Sequence, residues 1–290
     1  MKAAICGKRG SYYVRRLQEA LKARGIKAPC YSSTRLTARN GYGPALSVEE
    51  RSFDDLDFLF VRAIPGASLE QIIYRMDALQ VLERRGVTVV NPPKSIERTV
   101  DKYLTLSLLE DAGLPVPKTI VTEDFDQAMA AFEELGGDVV VKPIFGAEGR
   151  GIVRITEPDT AHRVFKALEL GRFVYFLQEY QEHGHEDIRV FVIGGQVVGA
   201  MVRTGLGWKA NMAQGATATP YDPDSELSRM SLLACETVGT IYAGVDILPL
   251  KGGGCQVIEV NGIPGWKGLA KATGVDVPNL LLDHLMAGKA

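Results

Sequence analysis

The sequence is poor in cysteine and histidine, with four of each in 290 residues. Cys6, Cys30, Cys235 and Cys255 lie far apart and form no C-x-x-C pair. That spacing argues against a disulfide framework and a thiolate zinc site, and leaves reduced, mostly buried small apolar residues. No convincing Ser–His or Cys–His arrangement for nucleophilic catalysis is present. No apolar run approaches the ~20 residues of a membrane span. The N-terminus, MKAAICGKRG, turns polar too soon for a secretion signal. A cytoplasmic protein without a membrane partner is expected. An excess of one charge is also lacking: 33 Lys and Arg stand against 35 Asp and Glu, a formal net charge of −2. A general nucleic-acid binder carries a basic excess, so nucleic acid is not an expected partner. Internal repeats and low-complexity segments are absent.

What is present is ordinary globular composition, 46% apolar and 23% charged, in a chain long enough for a real core. Strand-like runs at 2–6, 57–64 and 87–90 alternate with helical patterns at 11–24 and 68–85, which predicts a parallel sheet. In the first helix Val14, Leu17 and Leu21 share a face, and Gly25 stops it. Asn91-Pro92-Pro93 closes this first unit, residues 1–93. The middle reads as a helix over 95–113, a strand over 116–122, a helix over 125–135, strands over 139–144 and 152–156, a helix over 160–170 and a strand over 175–180. Residues 187–203 form a hairpin turning at Gly194-Gly195. A polar loop over 205–223, a helix over 225–242, a second hairpin around Gly252–Gly254, the loop NGIPGWKG and a terminal helix from Pro278 follow.

The second hairpin is the most informative element. Asp246 sits inside the apolar strand VDILPL, and Glu259 inside CQVIEV. A buried carboxylate needs a cation or a donor. Side chains two apart on a strand share a face, so Glu259 and Asn261 point the same way, and Asp246 joins them if the strands pair. Two carboxylates and an amide oxygen suit Mg²⁺; a salt bridge beside a turn asparagine is the structural alternative. The glycine-rich FGAEGRG lies between two strands and can surround a phosphate with backbone N–H groups, although most such loops are plain turns. It is neither a Walker A loop nor a dinucleotide fingerprint, since no Gly-Lys-Ser/Thr and no helix follows. Lys142 ends the strand beside that loop, as a triphosphate contact or a snorkelling surface lysine. Arg189 and Arg203 lie on two strands of one hairpin and could converge on one anion, or make surface salt bridges. His183-Gly184-His185 reads as a solvated turn or an H-x-H metal site. Trp208 and Trp266 fall in loops, as substrate walls or as packing.

Five ordered motifs together resemble the ATP-grasp superfamily, and specifically its RimK-like α-L-glutamate ligases. They are NPPKSIERTVDKYLT, DVVVKPIFGAEGRGI, LQEY followed by DIRVFVIGG, WKANMAQGA, and GVDIL with VIEVNGIPG. The match runs from about Asn91 to Gly274. The resemblance implies an ATP-grasp fold of mixed α/β and α+β class: an N-terminal α/β domain (1–93), then central (94–183) and C-terminal (184–290) α+β subdomains that clamp ATP. It implies that Lys102 and Lys142 contact the phosphates, that Gly146, Gly149 and Gly151 close over them, and that Glu179 and Tyr180 lie on the strand recognising adenine. Asp187 matches a nucleotide-contacting acid. Lys209 and Asn211 match the loop facing triphosphate and substrate, with Asn211 also a catalytic candidate. Asp246, Glu259 and Asn261 match the ligands of Mg²⁺, with Mn²⁺ as the alternative ion.

The implied activity is ATP-dependent carboxylate–amine ligation. A carboxylate attacks the γ-phosphate, ADP leaves, and an amine then displaces phosphate from the acyl phosphate. Arg189 and Arg203 are the candidates for stabilising that intermediate. The implied partners are L-glutamate and a carboxylate acceptor, either a peptide or protein C-terminus or a small cofactor such as a pterin or deazaflavin. A homo-oligomer, dimer or tetramer, is expected. Relatives often carry arginine where Lys209 stands, and R-G-G where this chain has Gln214-Gly215-Ala216. Lysine presents a point charge instead of a bidentate fork, and Lys267 is placed to replace part of the lost charge. Another ATP-grasp branch, carrier-linked or D-alanine-type, stays open, as does a catalytically silent ATP-binding regulator. The presence of Lys102, Lys142, Asp246, Glu259 and Asn261 together counts against the latter.

Overall fold

The computed structural model describes residues 1–146, 149–205, 207–208 and 216–288. The N-terminal elements are β1 (Ala3–Cys6), α1 (Tyr12–Ala23), β2 (Cys30–Tyr31), β3 (Leu36–Ala38), β4 (Leu46–Val48), β5 (Arg51–Ser52), β6 (Phe58–Val61), α2 (Leu69–Arg84) and β7 (Thr88–Val90). Four strands pair in parallel in the order β2-β1-β6-β7. A parallel sheet is covered on both faces, which is why its strands are apolar at every position except Thr88 at the start of β7. Ala3, Ile5, Phe58 and Phe60 face α1, while Ala4, Cys6, Leu59 and Val61 face α2 and the small antiparallel β3-β4-β5 sheet. That small sheet left no periodic signal because its strands are only two or three residues long.

Next come α3 (Pro93–Val100), α4 (Lys102–Asp111), β8 (Thr119–Thr122), α5 (Phe125–Glu134), β9 (Val139–Val141), β10 (Val153–Ile155), α6 (Pro158–Leu170) and β11 (Tyr175–Glu179). The single helix expected over 95–113 is therefore two. The chain breaks at Asp101, whose carboxylate accepts from Leu104 N at 3.0 Å and caps α4. Antiparallel pairing gives the order β10-β9-β11-β8, with α5 and α6 packed on one face.

The last elements are β12 (Glu186–Ile193), β13 (Gln196–Thr204), β14 (Thr217–Tyr221), α7 (Ser225–Val238), β15 (Tyr242–Pro249), β16 (Cys255–Asn261), α8 (Lys267–Thr273) and α9 (Val277–Ala287). Their sheet runs β14-β13-β12-β15-β16, all antiparallel. Two expectations are corrected here. The polar stretch read as a loop over 205–223 contains edge strand β14, polar and carrying Pro220, as an edge tolerates. The loop NGIPGWKG runs into α8, a helix not expected from the sequence; Trp266, left open as substrate wall or packing, is fully buried and packs.

The C-terminal helices return to the beginning of the chain. Leu269, Val277, Leu281 and Leu282 share one core with Ile5, Leu17, Phe58 and Phe60, and with Phe191 and Met201 at the end of the large sheet. Asn91, wholly buried, ties the units together. Its Nδ2 donates to Tyr242 O (2.7 Å) and Gly262 O (2.6 Å), and its Oδ1 accepts from Ile241 N and Tyr242 N. Cys6, Cys30 and Cys235 are buried free thiols and Cys255 is half-buried. Among the described residues no helix is long and apolar enough to cross a membrane.

Candidate active site

Two sheet faces line one cleft of about 720 Å³. On the four-stranded antiparallel sheet, the face away from α5 and α6 carries the row Arg154, Val140, Gln178 and Thr119, one residue per strand. On the five-stranded sheet, the face away from α7 carries the row Met201, Arg189, Asp246 and Glu259. Tyr13 and Arg62 close the cleft from the N-terminal side.

A bulge aims the acidic row. Asp246 pairs with Glu259, but the next residue, Ile247, pairs with Val257. The extra residue, Ile258, shifts the phase of β16, so Val257 and Val260 both reach the core while Glu259 and Asn261 face the cleft. Asp246 thus meets Glu259 and Asn261 across the ladder, as the alternation predicts.

The two arginines do converge, and the group they converge on is Asp246. Arg189 Nε and Nη2 donate to its two oxygens at 2.6 Å each, and Arg203 Nη2 lies 3.0 Å from Oδ2. Arg203 also forks Asp187, with Nη2 to Oδ2 at 2.8 Å. Burial pushes the Asp246 carboxyl up, but Arg189 and Arg203 outweigh it and hold it below its usual range. At Asp187 burial prevails over Arg203, and the carboxyl is pushed up to about 6.

Glu259 differs. Burial, then Asp246, pushes its carboxyl up, against the pull of Lys102, Arg189 and Lys142. Among the described residues its carboxylate makes no hydrogen bond or ion pair. Asn261 lines the cleft and donates through Nδ2 to Gly244 O at 3.2 Å and to Asp246 Oδ2 at 3.4 Å, while its Oδ1 accepts no hydrogen bond among the described residues. A half-buried carboxylate with no donor among the described residues, beside an amide oxygen, is a hard-oxygen set that fits Mg²⁺. Asp246 has less to offer, since guanidinium groups occupy three of a carboxylate's roughly four acceptor sites.

The lysines lie opposite. Lys102 opens α4 and sets Nζ 2.9 Å from Gly146 O, at the start of the glycine loop. Lys142 follows β9 and donates to Gln178 Oε1. Burial pushes the Lys142 ammonium down to about 8; Glu259 opposes that and Lys102 adds to it. Two ammonium groups without a contacting carboxylate among the described residues make a place that a polyanion would relieve. Gly149 and Gly151 take φ of +68° and +74°, the left-handed region that favours glycine. Gly146 and Gly149 line the cleft, and Gly151 packs by Pro143.

At the other end Tyr180 lies under the Arg154 guanidinium, 3.4 Å from the ring centroid, and Arg154 is forked to Asp138 at 2.8 and 2.6 Å. Glu179 accepts from Gln181 Nε2 at 2.9 Å. His183 is buried, its Nδ1 3.0 Å from Glu186 O, and burial pushes its pKa down. It is a packed turn residue, not a solvated one. Lys209, Asn211 and Gln214 lie outside the described residues.

Two cleft residues escaped the sequence reading. Gln178 is buried, holds Lys142, and donates to Thr119 Oγ1 at 3.0 Å. Its signal was a polar residue inside the apolar run YFLQEY, the same signal that exposed Asp246. Arg62 ends the run DFLFVR. It donates to Tyr242 Oη (2.6 Å) and Pro264 O (2.8 Å), with Trp266 and Tyr13 rings at 4.4 and 5.0 Å.

A family model described as RimK-like ATP-grasp domain matches residues 99–285. The tetrahydromethanopterin:alpha-L-glutamate ligase of Methanococcus maripaludis is 39% identical over 242 residues, 81% of each chain. The alpha-aminoadipate–LysW ligase LysX of Sulfurisphaera tokodaii is 31% identical over 207 residues, 70% of this chain and 73% of that one. The solved structure of the ATP-grasp ligase PsnB complexed with a phosphomimetic variant of its minimal precursor, Mg and ADP aligns with a TM-score of 0.78. That alignment covers 99% of this chain and 98% of that one at 23% identity, a likeness of fold.

Proposed function

The chain belongs to the RimK-like ATP-grasp family of ligases, and from that footing we propose that it joins the amine of L-glutamate to the carboxylate of a small pterin-type acceptor. The ligase chemistry is carried by one arrangement: the Glu259 carboxylate, without a donor among the described residues, near Lys102, Lys142 and Arg189 in a cleft of ligand size. The choice of glutamate and pterin is supported by the likeness to the tetrahydromethanopterin:alpha-L-glutamate ligase.

The reaction asks little covalent work of the protein. An acceptor oxygen takes a phosphoryl group as ADP leaves; the amine then bonds to the carbonyl carbon, inorganic phosphate leaves, and the amine's proton passes to solvent. Positioning and charge neutralisation suffice. Mg²⁺, held by Glu259 and Asn261 with Asp246 beside them, supplies neutralisation of the phosphoryl oxygens when bound. Lys102 and Lys142 hold the polyanion, and Gln178 fixes the Lys142 ammonium. Tyr180 under Arg154 presents a flat wall for a nucleobase. Asp246 holds Arg189 and Arg203 in the cleft wall, where their remaining N–H groups face anionic substrate.

The test is to incubate the protein with Mg-ATP, isotope-labelled glutamate and a metabolite extract of the source cells. A labelled product that requires both ATP and enzyme is expected. ADP formed with α-aminoadipate and not with glutamate would overturn the glutamate assignment. Absence of turnover with any amine would overturn ligation.

A further inference from the structure

A second cavity, about 530 Å³, lies in the N-terminal unit and has no part in the chemistry above. It opens at the carboxyl ends of β1, β2 and β6, lined by Gly7–Arg9, Cys30–Ser33, Arg35, Ala63 and Pro65. The strand order β2-β1-β6-β7 reverses at β1. Chains leaving β1 and β6 diverge there, and an open α/β sheet forms a ligand crevice at such a point.

The lining is of one sign: Lys8, Arg9 and Arg35, with no acidic side chain. Lys8 and Arg9 make no ion pair among the described residues, and Arg35 meets exposed Glu49 at 2.6 Å. Ser33 is 3% exposed, yet its hydroxyl has no hydrogen-bond partner among the described residues. A buried unmet donor among cations, beside a glycine-flanked turn leading into α1, is the chemistry of an oxyanion site. The cavity adjoins the active-site cleft through consecutive residues: Arg62 lines the cleft and Ala63 lines the cavity.

We propose that this cavity seats a phosphate-type oxyanion carried by the acceptor whose carboxylate is activated in the cleft. The assignment rests on the ligase reading. A charged anchor remote from the reacting carboxylate would select acceptors by length and charge, holding them equally in the ground and transition states.

The probe is inorganic phosphate, titrated by ³¹P NMR into the full chain with Mg-ADP saturating the cleft, for the wild type and for Lys8→Gln/Arg9→Gln. Both replaced side chains are exposed, so the fold is retained. Saturable binding that weakens about tenfold or more in the variant is expected, the size of losing a charged hydrogen bond. In the labelled-glutamate assay the variant should need about tenfold more acceptor for half-maximal labelling at an unchanged maximal rate. The labelled product should contain phosphorus. Equal phosphate affinity in both proteins overturns the site. Phosphate binding lost with acceptor use unchanged makes it a site for free phosphate and overturns the acceptor assignment, as does a labelled product without phosphorus. If the wild type labels nothing, the ligase reading has failed and the acceptor assignment with it, while the titration still decides whether the cavity takes an anion.

Discussion

Replacing Lys142 with methionine should stabilise the ligand-free protein against pH in a calculable way. The enclosed ammonium falls from the ordinary 10.5 to about 8, chiefly through burial. That drop corresponds to roughly 3 kcal/mol, an upper limit because the side chain is only half-buried. The folded state binds its proton less tightly than the unfolded state, so the penalty is fully present below pH 8 and fades as pH rises towards 10.5. At pH 7 nearly all of it acts; at pH 9.5 at most about 1.4 kcal/mol remains, so the wild type should gain up to about 2 kcal/mol between the two. Lys142→Met removes this dependence. It also leaves Gln178 Oε1 without its donor, which costs about 1–3 kcal/mol at every pH and cancels from the comparison. Urea unfolding of both proteins at pH 7 and 9.5 measures the difference of differences. A value of about 1–2 kcal/mol supports a strained ammonium. Parallel stability curves, within 0.5 kcal/mol or so, would refute it. The same substitution should weaken nucleotide binding about tenfold to a hundredfold, the loss of one charged hydrogen bond.

Glu259→Gln should lower turnover roughly 10³-fold or more, the loss of several kcal/mol of charge stabilisation through the ion. Its melting temperature should hold or rise, because the half-buried carboxylate has no donor to lose among the described residues; near-normal turnover would remove Glu259 from the ion site. Arg203→Met leaves Asp187 buried without its cation and should destabilise the chain by about 3–5 kcal/mol in urea unfolding. Adding Asp187→Leu should recover most of that loss. A single variant as stable as the wild type would show that the cluster is not coupled.

Much of the site was legible because strand periodicity is local. Glu259 and Asn261 share a face by their spacing alone, and the doubled apolar pair Val257-Ile258 marks the bulge that keeps a valine inward. Gln178 carries the same signal, a polar residue inside an apolar strand. Elements without period were hidden. The N-terminal β3-β4-β5 sheet is too short to alternate, α8 is seven residues with Gly268 inside it, and β14 is a polar edge. The break at Asp101 was masked because the apolar pattern of α3 and α4 runs on through the capping residue.

By itself the sequence determined which side chains carry charge into apolar strands, and hence which residues could serve ATP-dependent ligation. It could not determine whom those charges meet. Arg189 and Arg203 read as two cations awaiting an anion. Only the pairing of β12 with β15, 57 residues apart, sets Asp246 between them. Arg62 read as a strand end, and only the return of the C-terminal segment to the N-terminal sheet encloses it among Tyr13, Tyr242 and Trp266. The basic cavity likewise gathers three loops that are separate in sequence. Local chemistry follows from alternation along a strand, whereas partners follow from register and packing between distant segments, which the buried apolar surface of the whole chain decides.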